Sequence, residues 1–217
     1  MNAKEIIARR IAKELWDGAI VNLGIGLPTL VANYVPEGTR IYLQSENGII
    51  GMGRIADDSN RDPELVNAGG AEVTVEQGAS FFDSATSFAI IRGGHVDLTV
   101  LGALQVDGSG NLASHIVPGK MVPGMGGAMD LVVGSKKVII ASTHTAKEEA
   151  PKILKQITLP ATGIGCVDMI VTELAVFEMT PQGLTLTELH PDTDLETVRR
   201  LTQADFIVAE QLKTMMI

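Results

Sequence analysis

Within the opening stretch MNAKEIIARRIAKELWDG, apolar residues recur at Ile7, Ile11 and Leu15 between charged ones. A spacing of four puts them on one face of a helix, and Gly18 is a natural stop, so an amphipathic helix closed by that glycine is expected. The pattern then changes. AIVNLGI (19–25) is a short apolar run rich in β-branched residues, followed by Gly26-Leu27-Pro28 and TLVANYV. Strand, glycine turn and a helix opened by proline is the simplest account. RIYLQ (40–44) predicts the next strand, with Ser45-Glu46-Asn47-Gly48 at its C-terminal end, and the polar GRIADDSNRDP (53–63) predicts a surface loop. FDSATSFAIIRGG predicts a helix ended by Gly93 and Gly94, with Arg92 in the last turn complementing the helix dipole. VDLTVLGALQV (96–106) alternates enough for a strand, DGSG (107–110) signals a turn, and KKVIIAS predicts a further strand. Thr193-Asp194-Leu195-Glu196 has capping-box spacing ahead of a short helix in TVRRLTQA.

Strands alternating with helices and glycine loops predict an α/β fold with a largely parallel sheet. The 217 residues, 45% of them hydrophobic, suffice for one domain over residues 1–217. In such sheets ligands lie beyond the carboxyl ends of the strands, where Glu46 is expected. A net charge of -9 argues against the basic face that nucleic-acid binding requires. An anionic small molecule stays open, since a few backbone N–H groups can hold phosphate without net positive charge. Cys166 is the only cysteine; with no disulfide framework or thiolate cluster, it reads as a buried core thiol in a reducing compartment. The charged start lacks the unbroken apolar core of a signal peptide, and no apolar run reaches the roughly 18 residues of a membrane span. A cytoplasmic protein without membrane or nucleic-acid partners is expected.

Which residues carry chemistry is less plain. In LQSENGIIG (43–51), Asn-Gly alone accounts for a tight turn, so Glu46 is either a solvated turn residue or a working carboxylate. NLGIGLP (22–28) is not a dinucleotide fingerprint, because Thr29 stands where the third glycine would fall and Pro28 removes an N–H. Gly24 and Gly26 can still let backbone amides approach a ligand at the positive end of the following helix. GMGGAMD (124–130) is either a flexible surface loop or an oxyanion site. The histidines His95, His115, His144 and His190 are scattered, so no metal site is expected. Ser45 is not in a GxSxG elbow, and no Walker A loop is present. The carboxylate remains. It can act as a covalent nucleophile on an activated bond such as a thioester, passing through a mixed anhydride to a glutamyl thioester that an acceptor acid then reverses. Such chemistry needs neither ATP nor a metal.

Four blocks in order, NLGIGLPTLVANY, LQSENGIIG, RGGHVDLTVLGALQV and VPGKMVPGMGGAMDL, make the chain resemble the β subunit of family I CoA-transferases, the 3-oxoacid and acetate/acetoacetate group, over nearly its full length. The resemblance implies an open α/β/α domain of the CoA-transferase (NagB/RpiA-like) type. It implies that Glu46 is the nucleophile that becomes a glutamyl-CoA thioester, and that Gly126 and Gly127 supply N–H groups to the oxyanion. Asn22, Gly24, Gly26 and Lys120 would face the CoA and substrate. CoA and its acyl thioesters are then substrates, with no permanently bound cofactor, and a separate α subunit is the expected partner, as α2β2 or higher. Three positions depart from the pattern: Gly70, where succinate-using relatives typically carry Lys; Arg54, where many have Pro; and Ser114-His115, in place of a commoner Asn-Trp. These favour short-chain acids such as acetoacetate, acetate or butyrate over succinate. The competing readings are a succinyl-CoA:3-oxoacid transferase subunit, an acyl-CoA hydrolase, and a non-catalytic sensor of acyl-CoA or a sugar phosphate.

Overall fold

A computed structural model describes residues 1–119, 124 and 126–217. Lys120 therefore lies outside the described residues. Helix α1 (Ala3–Ala12) is capped by Asn2, whose side chain accepts from the Glu5 N–H at 3.0 Å, and it buries Ile7 and Ile11 completely. It ends well before Gly18. Leu15 is buried from the turn that follows, and Gly18, at φ +84°, shapes the entry to strand β1 (Ile20–Leu23). The proline-opened segment Leu27–Tyr34 is a 3-10 helix, consistent with the Thr29 N–H bonding back three residues to the Gly26 carbonyl.

Strands β2 (Tyr42–Ser45), β3 (Ile49–Ile55) and β4 (Val73–Phe81) precede helix α2 (Ser84–Arg92), which is capped by Asp83 and terminated at Gly93 as expected; the loop expected from residue 53 begins only after Ile55, because β3 carries on through pairing with β4. The strand expected over 96–106 is two: β5 (Leu98–Leu101) and β6 (Gln105–Asp107), parted at Gly102 and belonging to different sheets. Next come β7 (Leu112–Ala113), α3 (Ala128–Gly134), β8 (Val138–Ala141), β9 (Ile153–Leu154), β10 (Met169–Val171), β11 (Ala175–Thr180) and β12 (Gly183–Leu189). Helix α4 (Leu195–Leu201) is capped by Asp194, one residue later than the capping box suggests, with the Thr197 N–H 2.7 Å from its carboxylate; strand β13 (Ile207–Thr214) follows.

Among the described residues ten strands form one sheet in the order β13-β12-β11-β10-β8-β5-β1-β2-β3-β4, and β7-β6-β9 form a second. The central β10-β8-β5-β1-β2 strands are all parallel, and antiparallel hairpins extend the sheet on both sides. The parallel strands are apolar on both faces, because helices cover both. One face packs Val21, Leu98, Val100, Ile139 and Val171 against α1 and the 3-10 helix. The other packs Val138, Ile140 and Ile170 against α2, α3 and α4. Cys166 is half-buried against this second core, and burial pushes its thiol up to about 11, which leaves it unreactive near neutral pH. Among the described residues no helix is long and apolar enough to cross a membrane.

Candidate active site

Strand β2 delivers Glu46 at its C-terminal end, and the turn behind it allows little variation. The Gly48 N–H donates to the Ser45 carbonyl at 3.0 Å, and Gly48 sits at φ +122° with its α-carbon pressed to the Phe82 backbone. Any side chain there would overlap the Phe82 carbonyl oxygen. This turn also holds the 66–71 loop. The Ala68 N–H donates to Ser45 Oγ at 2.9 Å, and Asn47 Nδ2 donates to the Val66 carbonyl at 2.8 Å. Within the loop, Asn67 Oδ1 accepts from the N–H groups of Gly69 and Ala71. Gly70, at φ +78°, has open space around it.

The half-buried Glu46 faces two other elements. From β1, the buried Asn22 donates through Nδ2 to Glu46 Oε2 at 3.2 Å. From the start of α3, Gly127 packs on the Glu46 side chain so closely that a Cβ would lie 3.2 Å from its Cγ and 3.5 Å from Phe88 Cζ. Gly126 faces the other oxygen, where a Cβ would lie 3.9 Å from Oε1. Glu46, Asn22, Gly126 and Gly127 thus come together from segments far apart in sequence. Gly24 differs from expectation: its N–H is taken by the Val100 carbonyl at 2.8 Å, and a Cβ would crowd that oxygen at 3.1 Å. Close strand packing, rather than an amide offered to a ligand, explains that glycine. Gly26, at φ +91°, is exposed in the loop above.

A cleft of about 720 Å³ opens beside Glu46, between the Gly24–Val35 segment and the β2–β3–β4 hairpins. Ile25, Leu43, Met52 and Gly69 give it apolar walls, while Arg40 and Arg54 bring positive charge to its lining. Ser114 and His115 lie elsewhere, hydrogen-bonded to Thr162 at 2.8 and 3.2 Å. Two residues of the site were not singled out from sequence. Gln44 and Ser87 are both buried, Gln44 accepting from Asn22 Nδ2 and donating to Ser87 Oγ. A carboxylate pinned at a strand end, one oxygen held by an amide and the other facing glycines beside an apolar cleft, has the geometry that covalent attack on an uncharged, activated carbonyl would require.

Comparison with known proteins settles the family. The sequence pattern described as Coenzyme A transferase matches residues 4–200. The chain belongs to the coenzyme A transferase family. The beta subunit of acetate CoA-transferase from Haemophilus influenzae is 60% identical over 217 residues, covering 100% of this chain and 97% of that protein. One subunit of the succinyl-CoA:3-ketoacid coenzyme A transferase of Helicobacter pylori is 50% identical over 205 residues, covering 94% of this chain and 99% of that one. Among solved structures, the acyl-CoA transferase YdiF of Escherichia coli O157:H7, in a thioester complex with CoA, superposes with a TM-score of 0.79 at 25% identity. That match covers 100% of this chain and 43% of the YdiF chain, so this CoA-transferase subunit corresponds to less than half of that longer relative.

Proposed function

We propose that this CoA-transferase subunit carries the nucleophile of a ping-pong transfer between a short-chain acyl-CoA, such as acetoacetyl-CoA, and a free acid, such as acetate or butyrate. The observation that carries this reading is Glu46 itself, fixed at the end of β2 with Oε2 on Asn22 and Oε1 facing Gly126. Oε1 attacks the thioester carbonyl, the C–S bond breaks, and CoA leaves as its thiolate, giving a mixed anhydride. The thiolate then attacks Glu46 Cδ, the Cδ–Oε1 bond breaks, and the donor acid departs with Oε1. What remains is a glutamyl-CoA thioester whose carbonyl oxygen is Oε2. An acceptor carboxylate reverses both steps. In every attack on Cδ the negative charge develops on Oε2, the atom that Asn22 already holds. The N–H groups of Gly126 and Gly127 serve the oxyanion that forms on the substrate carbonyl.

The 66–71 loop bears on the charge of the substrate. It lies against the Glu46 turn and bears glycine at 69 and 70, so it offers no cation to a second carboxylate such as that of succinate. The higher identity to an acetate CoA-transferase chain than to a succinyl-CoA one supports the same preference. Both relatives are named as single subunits of their enzymes, which supports assembly with a separate α subunit that completes the site.

Glu46→Gln tests the mechanism, since it keeps the shape and removes the nucleophile. In the complex with the α subunit we expect turnover to vanish while the thermal transition and subunit association stay as in wild type. Activity within a few-fold of wild type would eliminate Glu46 as the nucleophile.

A further inference from the structure

Beneath Glu46 runs a row of polar residues that the apolar strands do not need for packing. Asn22 on β1 is the register partner of Gln44 on β2 and of Thr99 on β5, and the three are 1%, 1% and 0% exposed. A polar side chain on a fully buried sheet face is costly unless its hydrogen bonds are made. For Gln44 they are made, and they have a direction. Its Oε1 accepts from Asn22 Nδ2 at 2.7 Å, and its Nε2 donates to Ser87 Oγ on α2 at 3.1 Å.

The environment of Asn22 Nδ2 consists of acceptors. Besides Gln44 Oε1, it has the Gln44 main-chain oxygen at 3.2 Å and Glu46 Oε2 at 3.2 Å. A flipped carboxamide would set Oδ1 against the carboxylate and the Gln44 carbonyl oxygen, so one orientation is favoured. That orientation carries a cost, because Asn22 Oδ1 is buried without a hydrogen-bond partner among the described residues. The shortest bond, donated by Asn22 Nδ2 to Gln44 Oε1, offsets it. A methionine at position 44 would fill similar space with no polar group to satisfy, so packing alone does not require glutamine there.

We propose that Gln44 is a positioning residue of the transfer reaction: its carboxamide, anchored by Ser87, holds Asn22 with Nδ2 turned to Glu46 Oε2. This rests on the reading of Glu46 as the nucleophile. Gln44 acts through Asn22, at the stage when charge gathers on Oε2, and so affects turnover rather than acyl-CoA binding.

The test is a double-mutant cycle on the complex with the α subunit, using Gln44→Met, Asn22→Ala, the pair together, and Ser87→Ala. Loss of one ordinary hydrogen bond predicts a fall in kcat of about ten-fold for Gln44→Met, with KM for acetoacetyl-CoA within about two-fold and no loss of thermal stability. In the Asn22→Ala background the same change should lower kcat by less than about two-fold, because the group it orients is gone. Ser87→Ala should act in the same direction as Gln44→Met, more weakly, and should also lose its effect without Asn22. Additive effects of Gln44→Met and Asn22→Ala would overturn the proposal, as would an unchanged kcat in Gln44→Met. If Gln44→Met fails to fold, Ser87→Ala decides by the same criterion. Glu46→Gln run alongside separates the two claims: a live Glu46→Gln enzyme defeats the nucleophile, whereas a dead one with an additive cycle defeats only the positioning role.

Discussion

At Gly127 the missing side chain is what lets α3 begin against Glu46. A Cβ would already meet Glu46 Cγ at 3.2 Å, and the branches of a valine would have to displace either the carboxylate or Phe88. We expect Gly127→Val to lower kcat by roughly 10²–10³, the range for losing one oxyanion donor, with the fold retained. Steady-state kinetics beside a thermal melt would show it; a change in KM alone would not fit. Single residues were unevenly legible in the sequence. Glu46 drew notice as a carboxylate beside Asn-Gly between two apolar runs, where a solvated turn explained it equally well, and Asn22 was reached only through the resemblance of the NLGIG block to the CoA-transferases. Gln44 and Ser87 looked ordinary, since one closes a strand and the other sits in a helix. Their shared signal was visible only across strands: Asn22, Gln44 and Thr99 each interrupt a buried parallel strand, and register alone shows that they are neighbours.

Among the elements, the β2–β3 hairpin depends on Gly48. A side chain there meets the Phe82 carbonyl, and φ +122° is a region that L residues rarely adopt. Gly48→Ala is expected to destabilise the protein by more than about 2 kcal/mol and to abolish transfer, and Gly26→Ala to cost less, since its Cβ enters open space and only the strain of its φ of +91° remains. Chemical denaturation of the two variants side by side checks the contrast. The 66–71 loop gives a test of specificity. Gly70→Lys places a cation beside the Glu46 turn at a left-handed backbone position that costs roughly 1 kcal/mol, so we expect a modest loss of stability together with improved use of succinyl-CoA relative to acetoacetyl-CoA. Unchanged donor ratios would remove position 70 from the selectivity argument. Of the parallel core, β1, β2, β5 and β8 were readable as short apolar runs, whereas β10, only three residues long, was not singled out. The edge elements were not readable either. Strand β4 reads VTVEQGASF and is mostly exposed beyond Val73, and β13 is largely solvated, so neither shows a sustained alternation of the kind that marks a half-buried strand. The division of residues 96–106 between two sheets lay hidden in one glycine, Gly102, which the periodicity does not distinguish from a strand interior.

Over the whole molecule, two buried polar centres tie distant parts of the chain together and set its response to acid. Arg10 on α1 reaches Glu188 on β12 at 2.7 Å and Glu14 at 2.8 Å, while Lys137 closes on Glu14 at 2.7 Å. Burial works against the charge on Glu14, yet the hydrogen bonds from Lys137 and Arg10 hold its carboxyl below the usual range. That stability is present above the ordinary carboxylate range and is lost as pH falls through the lowered value. His144 acts earlier. Fully buried, with its ring nitrogens 3.0 Å from Thr172 Oγ1 and Thr202 Oγ1, it is pushed by burial from 6.5 to about 4. The unfolded chain therefore takes up this proton first, and roughly 3 kcal/mol of stability is lost between pH 6.5 and 4. His144→Gln is expected to flatten that window while leaving the steeper loss at lower pH, and urea denaturation at pH 7.5 and 4.5 would measure it. Equal loss in both proteins would assign the acid response to the carboxylates alone.

The central claim concerns one covalent bond. The complex of this chain with its α subunit, mixed with acetoacetyl-CoA in the absence of acceptor acid and trapped with hydroxylamine or borohydride, should yield a single modified peptide, with the change on Glu46. Adding acetate before the trap should erase the label as CoA passes on. CoA exchange by the same complex with Glu46 unmodified, or with the label on another residue, would contradict the account.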